Sequence, residues 1–292
     1  MISQQPENIS ELSFENIVFA GGGNRCFWQA GFWEVAAPAL ALAPKRVAAC
    51  SAGSAVACAI FAGRSEAAMS VAKKTMTHNP KNQYWGNLFR QGKVFPHESL
   101  YRQMVVEIMD QAALAQLAKG PDILVEVARL PRWLGPKSAT LVGLSLYQLE
   151  KKLRQPVHPT FGRKIGFSAE FINARQCHNA EELANIILAS SCTPPFTSVQ
   201  YPGARAALDG GMVDNVPVEG ISSWEQAYND SQKTLVLLTR PYPRLPSHPH
   251  RIYVQPSSPV AAKSWDYTNP LLLQQTFDQG RRDAEQFLAM HA

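Results

Sequence analysis

The chain is 292 residues long, 46% hydrophobic and 17% charged, with 28 basic against 23 acidic side chains and a net charge of +5. That length and apolar content can bury one large α/β core, while a basic excess so small and dispersed excludes nucleic acid and favours anionic lipid surfaces. The cysteines, Cys26, Cys50, Cys58, Cys177 and Cys192, are odd in number and mostly sit in apolar stretches; with the histidines they form no ligand-spaced cluster, so neither a disulfide framework nor a metal is expected.

The first fifteen residues carry Glu7, Glu11 and Glu15 and lack a basic segment followed by an apolar one, which argues against a secretory signal peptide. The longest nearly uncharged apolar stretch, 47–63, is too broken to span a bilayer. A soluble cytoplasmic protein is therefore expected, with peripheral contact to a membrane surface. Residues 16–20 read as a buried strand, followed by Gly21-Gly22-Gly23-Asn24-Arg25 and a helical pattern. Consecutive glycines let backbone N–H groups converge on one space, and a helix N-terminus adds positive potential there. Arg25 in a first helical turn opposes the macrodipole, so a second task such as holding an anion is expected of it. Neither a phosphate-binding Gly-Lys-Ser/Thr ending nor a dinucleotide spacing follows. Gly31, in the helix beyond, permits close approach of a neighbouring backbone.

The next strand, 46–50, leads directly into Ser51-Ala52-Gly53 and an Ala-rich helix over 54–62. A sharp strand-to-helix turn pushes its apex side chain out of the backbone path, and here the apex is a hydroxyl. Helices are expected over 66–76 and 98–118. The aromatic and basic segment between them (Tyr84, Trp85, Phe89, Lys93) either caps a site, touches a membrane or seals the core. Residues 121–130 suit strand or helix. Further helices are expected over 144–153, 180–189 and 271–290, the last opened by Asn269-Pro270, and strands over 164–172, 206–208, 234–239 and 251–255. Between them lie Ala189-Ser190-Ser191-Cys192-Thr193-Pro194-Pro195-Phe196 and Leu208-Asp209-Gly210-Gly211. Alternating strands and helices imply a mostly parallel sheet covered on both faces. No linker or repeat divides the chain, so 1–292 is read as one domain.

Read together, the glycine loop, the Ser51 turn and the late Asp-Gly-Gly resemble the patatin-like phospholipases, with matches from about residue 16 to 283 that include the tail from Trp265 to Asp283. The resemblance implies a single α/β domain with a mostly parallel central sheet sandwiched by helices and a nucleophile elbow. It implies Ser51 as nucleophile and Asp209 as base, an oxyanion hole of Gly21, Gly22, Gly23 and Arg25, an elbow framed by Ala49 and Gly53, and a base turn of Gly210 and Gly211. The chain departs from the family pattern at Ala49, where the elbow has Gly, and at Cys26, beside the loop. No cofactor is implied. The expected reaction is hydrolysis of a phospholipid, lysophospholipid or other lipid ester; the alternatives are a transacylase on the same dyad and a non-catalytic lipid-binding protein. A Ser–Asp–His triad through His248 or His250 would match another hydrolase chain order, but only one strand precedes the strand that leads into Ser51, and these histidines suit a solvated Pro-rich loop. The sequence does not indicate whether a protein activator is needed.

Overall fold

The computed structural model describes residues 13–89, 92–131, 133–135, 138–139, 141–143, 145, 156–226 and 232–291. Strand β1 (Ser13–Phe19) runs into the glycine loop, a 3-10 turn over Gly23–Cys26 and helix α1 (Phe27–Ala39). Strand β2 (Arg46–Cys50) is followed by α2 (Ala52–Phe61), α3 (Ser65–Thr77), a 3-10 turn (Trp85–Phe89), α4 (His97–Ile108) and α5 (Gln111–Leu117). Next come β3 (Asp122–Arg129), β4 (Ser168–Asn173), α6 (Ala180–Ser190), β5 (Ala207–Asp209), β6 (Gln232–Leu237), β7 (Arg251–Val254) and α7 (Pro270–Ala289). The seven strands form one sheet in the order β4-β3-β2-β1-β6-β7, with β5 also paired to β3. Pairs β1–β2, β1–β6, β2–β3 and β6–β7 are parallel; β4 and β5 run antiparallel to β3.

Alternation along the strands divides the core. Ile17, Phe19, Val47, Ala49, Ile123 and Val125 face a helical layer that supplies Trp28, Phe32, Leu183 and Ile187. Val18, Ala48 and Val236 face the opposite cluster with Val216, Ile221 and Tyr253. Residues buried on both faces make the central strands read as continuous apolar runs, as parallel sheets require.

Local chemistry accounts for the helix ends. Asn179 accepts the Glu182 amide at 2.9 Å while the Glu182 carboxylate accepts the His178 amide at 2.8 Å, closing the first turn of α6. Asn269 caps α7 at Leu271 and Pro270 occupies its first turn. The sequence pattern predicts one helix over 98–118, but the chain breaks at Asp110, whose extended backbone and carboxylate start α5 by accepting the Ala113 amide at 2.7 Å. The strand predicted over 164–172 begins only at Ser168, because Phe161–Lys164 makes a helical turn and Gly166 (φ +97) reverses the chain. Residues 121–130, open between helix and strand, form β3. The helix predicted over 144–153 lies outside the described residues except at Ser145.

Helix α7 closes the fold by packing on α1. A Cβ on Gly31 would sit 2.0 Å from the Phe277 carbonyl oxygen, and one on Gly280 2.1 Å from that of Trp28. The close approach is locked by Trp28 Nε1, which donates to Asp283 at 2.7 Å. The expectation that Gly31 admits a neighbouring backbone is met in α7.

Candidate active site

Strand β3 is the ruler that assembles the site. On its edge opposite β4, β2 is paired as far as Cys50 opposite Glu126, and β5 takes over with Asp209 opposite Val127. Two strands remote in sequence thus end against consecutive residues of β3. Ser51, the next residue after β2, meets Asp209, the last of β5, and Ser51 Oγ donates to Asp209 Oδ2 at 2.9 Å.

Ser51 adopts φ +53, ψ −133, left of the ordinary range for a residue with a side chain. Such strain costs about 1–3 kcal/mol and persists only where the surroundings over-determine it. They do so here. The Ser51 amide donates to Ser190 Oγ at 2.7 Å, and that hydroxyl donates onward to the Glu126 carbonyl at 2.6 Å. Ser54 Oγ donates to the Ser51 carbonyl. Gly53 lets α2 press onto β1, since a Cβ there would lie 2.5 Å from the Ala20 carbonyl oxygen. Ala49 lies within β2 among the buried residues and outside the positive-φ positions, so its methyl group carries no backbone penalty.

Asp209 is held from several sides. Its Oδ1 accepts the Gly211 amide at 2.8 Å, and its Oδ2 also faces Thr193 Oγ1 at 3.4 Å. Burial pushes the carboxyl up to about 6, against the lowering effect of those hydrogen bonds. A carboxylate so placed is a stronger base than an ordinary aspartate. Gly210 leaves room beside the β3 backbone, where a Cβ would approach the Glu126 carbonyl oxygen to 2.7 Å.

The glycine loop lies against the same turn, for a Cβ on Gly21 would come within 3.2 Å of Ser51 Cβ. Gly21 is not available as an anion donor: its amide donates to the Asn215 carbonyl at 2.8 Å. Its own carbonyl accepts from Asn215 Nδ2 and Thr239 Oγ1, both at 2.8 Å. The amides of Gly22 and Gly23 donate to no described group, and the N-terminus of α2 brings partial positive charge to Ser51. Arg25 forms no ion pair among the described residues; its Nε donates to the Gly22 carbonyl at 3.1 Å and braces the loop. Cys26 donates its thiol to the Ala20 carbonyl at 3.5 Å, and burial pushes that thiol up to about 12. Cys50 is likewise buried and shifted upward, so the thiol beside Ser51 is held neutral.

Three clamps escaped the sequence reading. Ser190 and Thr193 stood in a segment to which the sequence assigned no role, and Asn215 lies a few residues beyond the Asp-Gly-Gly turn; each acts through contacts that no local pattern encodes. His248 and His250 flank the start of β7, at the opposite end of the parallel strands from Ser51. His158 lies against a carboxylate, its Nδ1 2.7 Å from Asp214 Oδ2. The aromatic segment of the sequence packs toward the site: Trp85 contacts Phe95, Phe95 contacts Phe196 with ring centres 5.0 Å apart, and Phe196 stacks on Trp265. Trp85 remains 57% exposed at the edge of that cluster. Among the described residues no group of His, Cys, Asp and Glu is arranged to hold a metal ion, and no helix is long and apolar enough to cross a membrane.

The patatin-like phospholipase profile matches residues 17–221, a span holding the glycine loop, the Ser51 turn and Asp209. The chain belongs to the patatin-like phospholipase family, and that membership supports lipid acyl hydrolysis as its general activity. Among solved structures it is similar to VipD from Legionella pneumophila, at 11% identity and a TM-score of 0.46, covering 96% of this chain and 67% of that one. No curated protein sequence matches it.

Proposed function

We propose that the protein cleaves carboxylic esters of membrane lipids with Ser51 as nucleophile and Asp209 as its base. The observation that carries this reading is the 2.9 Å hydrogen bond from Ser51 Oγ to Asp209 Oδ2, made at a strained turn. Ser51 Oγ attacks the ester carbonyl carbon as its proton passes to Asp209. The amides of Gly22 and Gly23 receive the oxyanion; one such donor is typically worth about 10²–10³ in rate. Collapse of the tetrahedral intermediate breaks the bond to the alcohol, which leaves with the proton from Asp209. Water then attacks the acyl-enzyme, giving its proton to Asp209, which returns it to Ser51 Oγ as the bond to the acyl group breaks and the fatty acid departs. A second alcohol in place of that water would make the same site a transacylase.

The substrate class follows from the family together with the surface. Net charge of +5 favours anionic bilayers, and the exposed indole of Trp85 suits the interfacial layer. Peripheral membrane contact at that rim belongs to the proposal.

The test is fatty-acid release from mixed phospholipid vesicles. Wild type releases fatty acid, Ser51→Ala releases none, and Asp209→Asn retains roughly 10⁻²–10⁻⁴ of the rate. Full activity in Asp209→Asn would overturn the dyad. Vesicle binding without release in any variant would instead support a lipid-binding protein.

A further inference from the structure

The turn that carries Asp209 and the glycine loop are joined by one dipeptide, Asp214-Asn215. Toward the Asp209 turn, the Asp214 amide donates to the Gly210 carbonyl at 3.0 Å, and the Val213 amide donates to the same oxygen at 2.8 Å. Toward the glycine loop, the Asn215 carbonyl accepts the Gly21 amide, and Asn215 Nδ2 donates to the Gly21 carbonyl. The two residues are consecutive, so movement of this dipeptide shifts the Asp209 turn against the glycine loop. Misplacing reacting groups by about 1 Å costs about 10² in rate.

The dipeptide is fixed from a distant part of the chain. Asp214 is buried; its Oδ1 accepts the Val216 amide at 2.9 Å, and its Oδ2 meets His158 Nδ1 at 2.7 Å. The imidazole is held in turn, with Nε2 3.0 Å from the Tyr253 hydroxyl on β7. Around it, the stretch 157–163 grips the chain on both sides of Asp214. Val157 packs in the cluster with Val216 and Tyr253. Gly162 presses on the Met212 backbone, where a Cβ would lie 2.0 Å from the carbonyl oxygen, and Arg163 pairs with Glu219. Neither His158 nor Asp214 hydrogen-bonds to Ser51 or Asp209 among the described residues.

Core packing does not explain a polar pair at this place. Burial pushes the Asp214 carboxyl upward, with the hydrogen bond to His158 opposing that shift most, and the unpartnered carboxyl of Glu126 is close enough to feel the Asp214 charge. Apolar residues of the same volume would pack without that desolvation. They would lack the directionality of a hydrogen bond, which fixes Asp214 in angle as well as in distance.

We propose that His158 is a positioning residue for the reaction: through Asp214 it holds Asn215, and so keeps the glycine loop and the Asp209 turn in register at Ser51. In this role Nδ1 donates to the carboxylate, which leaves Nε2 to accept from the Tyr253 hydroxyl. The inference rests on the proposed function for its effect on turnover, while the register itself is read without catalysis.

The experiment measures kcat and KM for p-nitrophenyl butanoate with wild type, His158→Ala, His158→Asn and His158→Gln. An asparagine amide sets its N–H near the place of Nδ1, and a glutamine amide near that of Nε2. His158→Ala and His158→Gln are expected to lower kcat by at least about tenfold with KM held, and His158→Asn to stay within about threefold of wild type. Equal kcat throughout, a loss confined to KM, or rescue by glutamine and not by asparagine overturns the proposal. If His158→Ala fails to fold, the asparagine and glutamine variants carry the comparison. A second arm follows hydrogen exchange of the Gly21 amide in the same proteins without substrate. It is expected to quicken at least about tenfold in His158→Gln and to stay near the wild-type rate in His158→Asn, while amides of α7 keep theirs. That result supports the register even if wild type hydrolyses no ester, in which case only the enzymatic reading falls. Exchange at Gly21 that is unchanged, or that quickens only in step with α7, overturns it.

Discussion

Asp209 must be ionised to accept the Ser51 proton, yet burial raises its carboxyl to about 6. In the proposed mechanism the active fraction therefore grows as pH rises through about 6 and levels off above it. A kcat profile against pH should show an acid limb with a midpoint near that value; a flat profile down to about pH 4, the ordinary aspartate range, would contradict the assignment. Ser190 is the second point at this scale. Its hydroxyl bridges the Ser51 amide and the Glu126 carbonyl, at 2.7 and 2.6 Å, and so pins the strained turn to β3. Ser190→Ala leaves both groups buried and unpaired, at a cost of about 1–3 kcal/mol. We expect kcat to fall by about tenfold with KM held, because the bridge orients the hydroxyl and does not touch the substrate. An equal loss in KM would assign Ser190 to binding instead.

At the scale of the element, the pairing of α1 with α7 joins the glycine loop to the C-terminal part of the chain. Asn24 reinforces it, its amide donating to the Ser264 carbonyl at 3.1 Å and its Nδ2 to that of Asp266 at 2.8 Å. Gly280→Ala puts a methyl group 2.1 Å from the Trp28 carbonyl oxygen, a backbone atom that cannot swing away. Overpacking of this kind costs about 1–3 kcal/mol, so thermal melting should shift down by several degrees. An unshifted Tm would show that α7 slides along α1 without loss. Because α1 leads out of the glycine loop, the same variant should slow turnover more than a surface change of equal stability cost.

Across the whole molecule, the face of the sheet away from the helical layer carries buried acids. Glu126 is fully buried with neither carboxylate oxygen hydrogen-bonded in the described structure, and burial together with the nearby Asp214 charge holds its carboxyl well above the ordinary range. Asp214 is shifted upward too, by burial, although His158 opposes the shift. A folded-state value above the unfolded one means the fold favours the protonated acid. Its contribution is present in full below about pH 4 and is lost as pH rises through the folded value. Melting temperature should accordingly fall as pH rises above the ordinary carboxylate range of about 4, with Glu126→Gln flattening that slope. A slope identical in both proteins would show that Glu126 does not titrate with unfolding.

The sequence by itself determined what depends on short stretches of backbone. Three glycines, a serine between a small-residue strand and an Ala-rich helix, and an Asp-Gly-Gly turn each carry their geometry within a few residues, and their combination was legible as a family resemblance. Most strands and helices were legible too, because burial leaves its period in the chain; the exceptions lay where one local group overruled the pattern, as Asp110 does in splitting 98–118. Tertiary structure alone decided what depends on register. That Ser51 and Asp209 meet follows from β2 and β5 ending at successive residues of β3. That Gly21 is spent on Asn215 and Ser51 is clamped by Ser190 follows from the packing of segments far apart in the chain. The shift of the Asp209 carboxyl belongs to the same class, since burial is a property of the assembled sheet and helices and no residue's neighbours in sequence can reveal how much water the fold excludes.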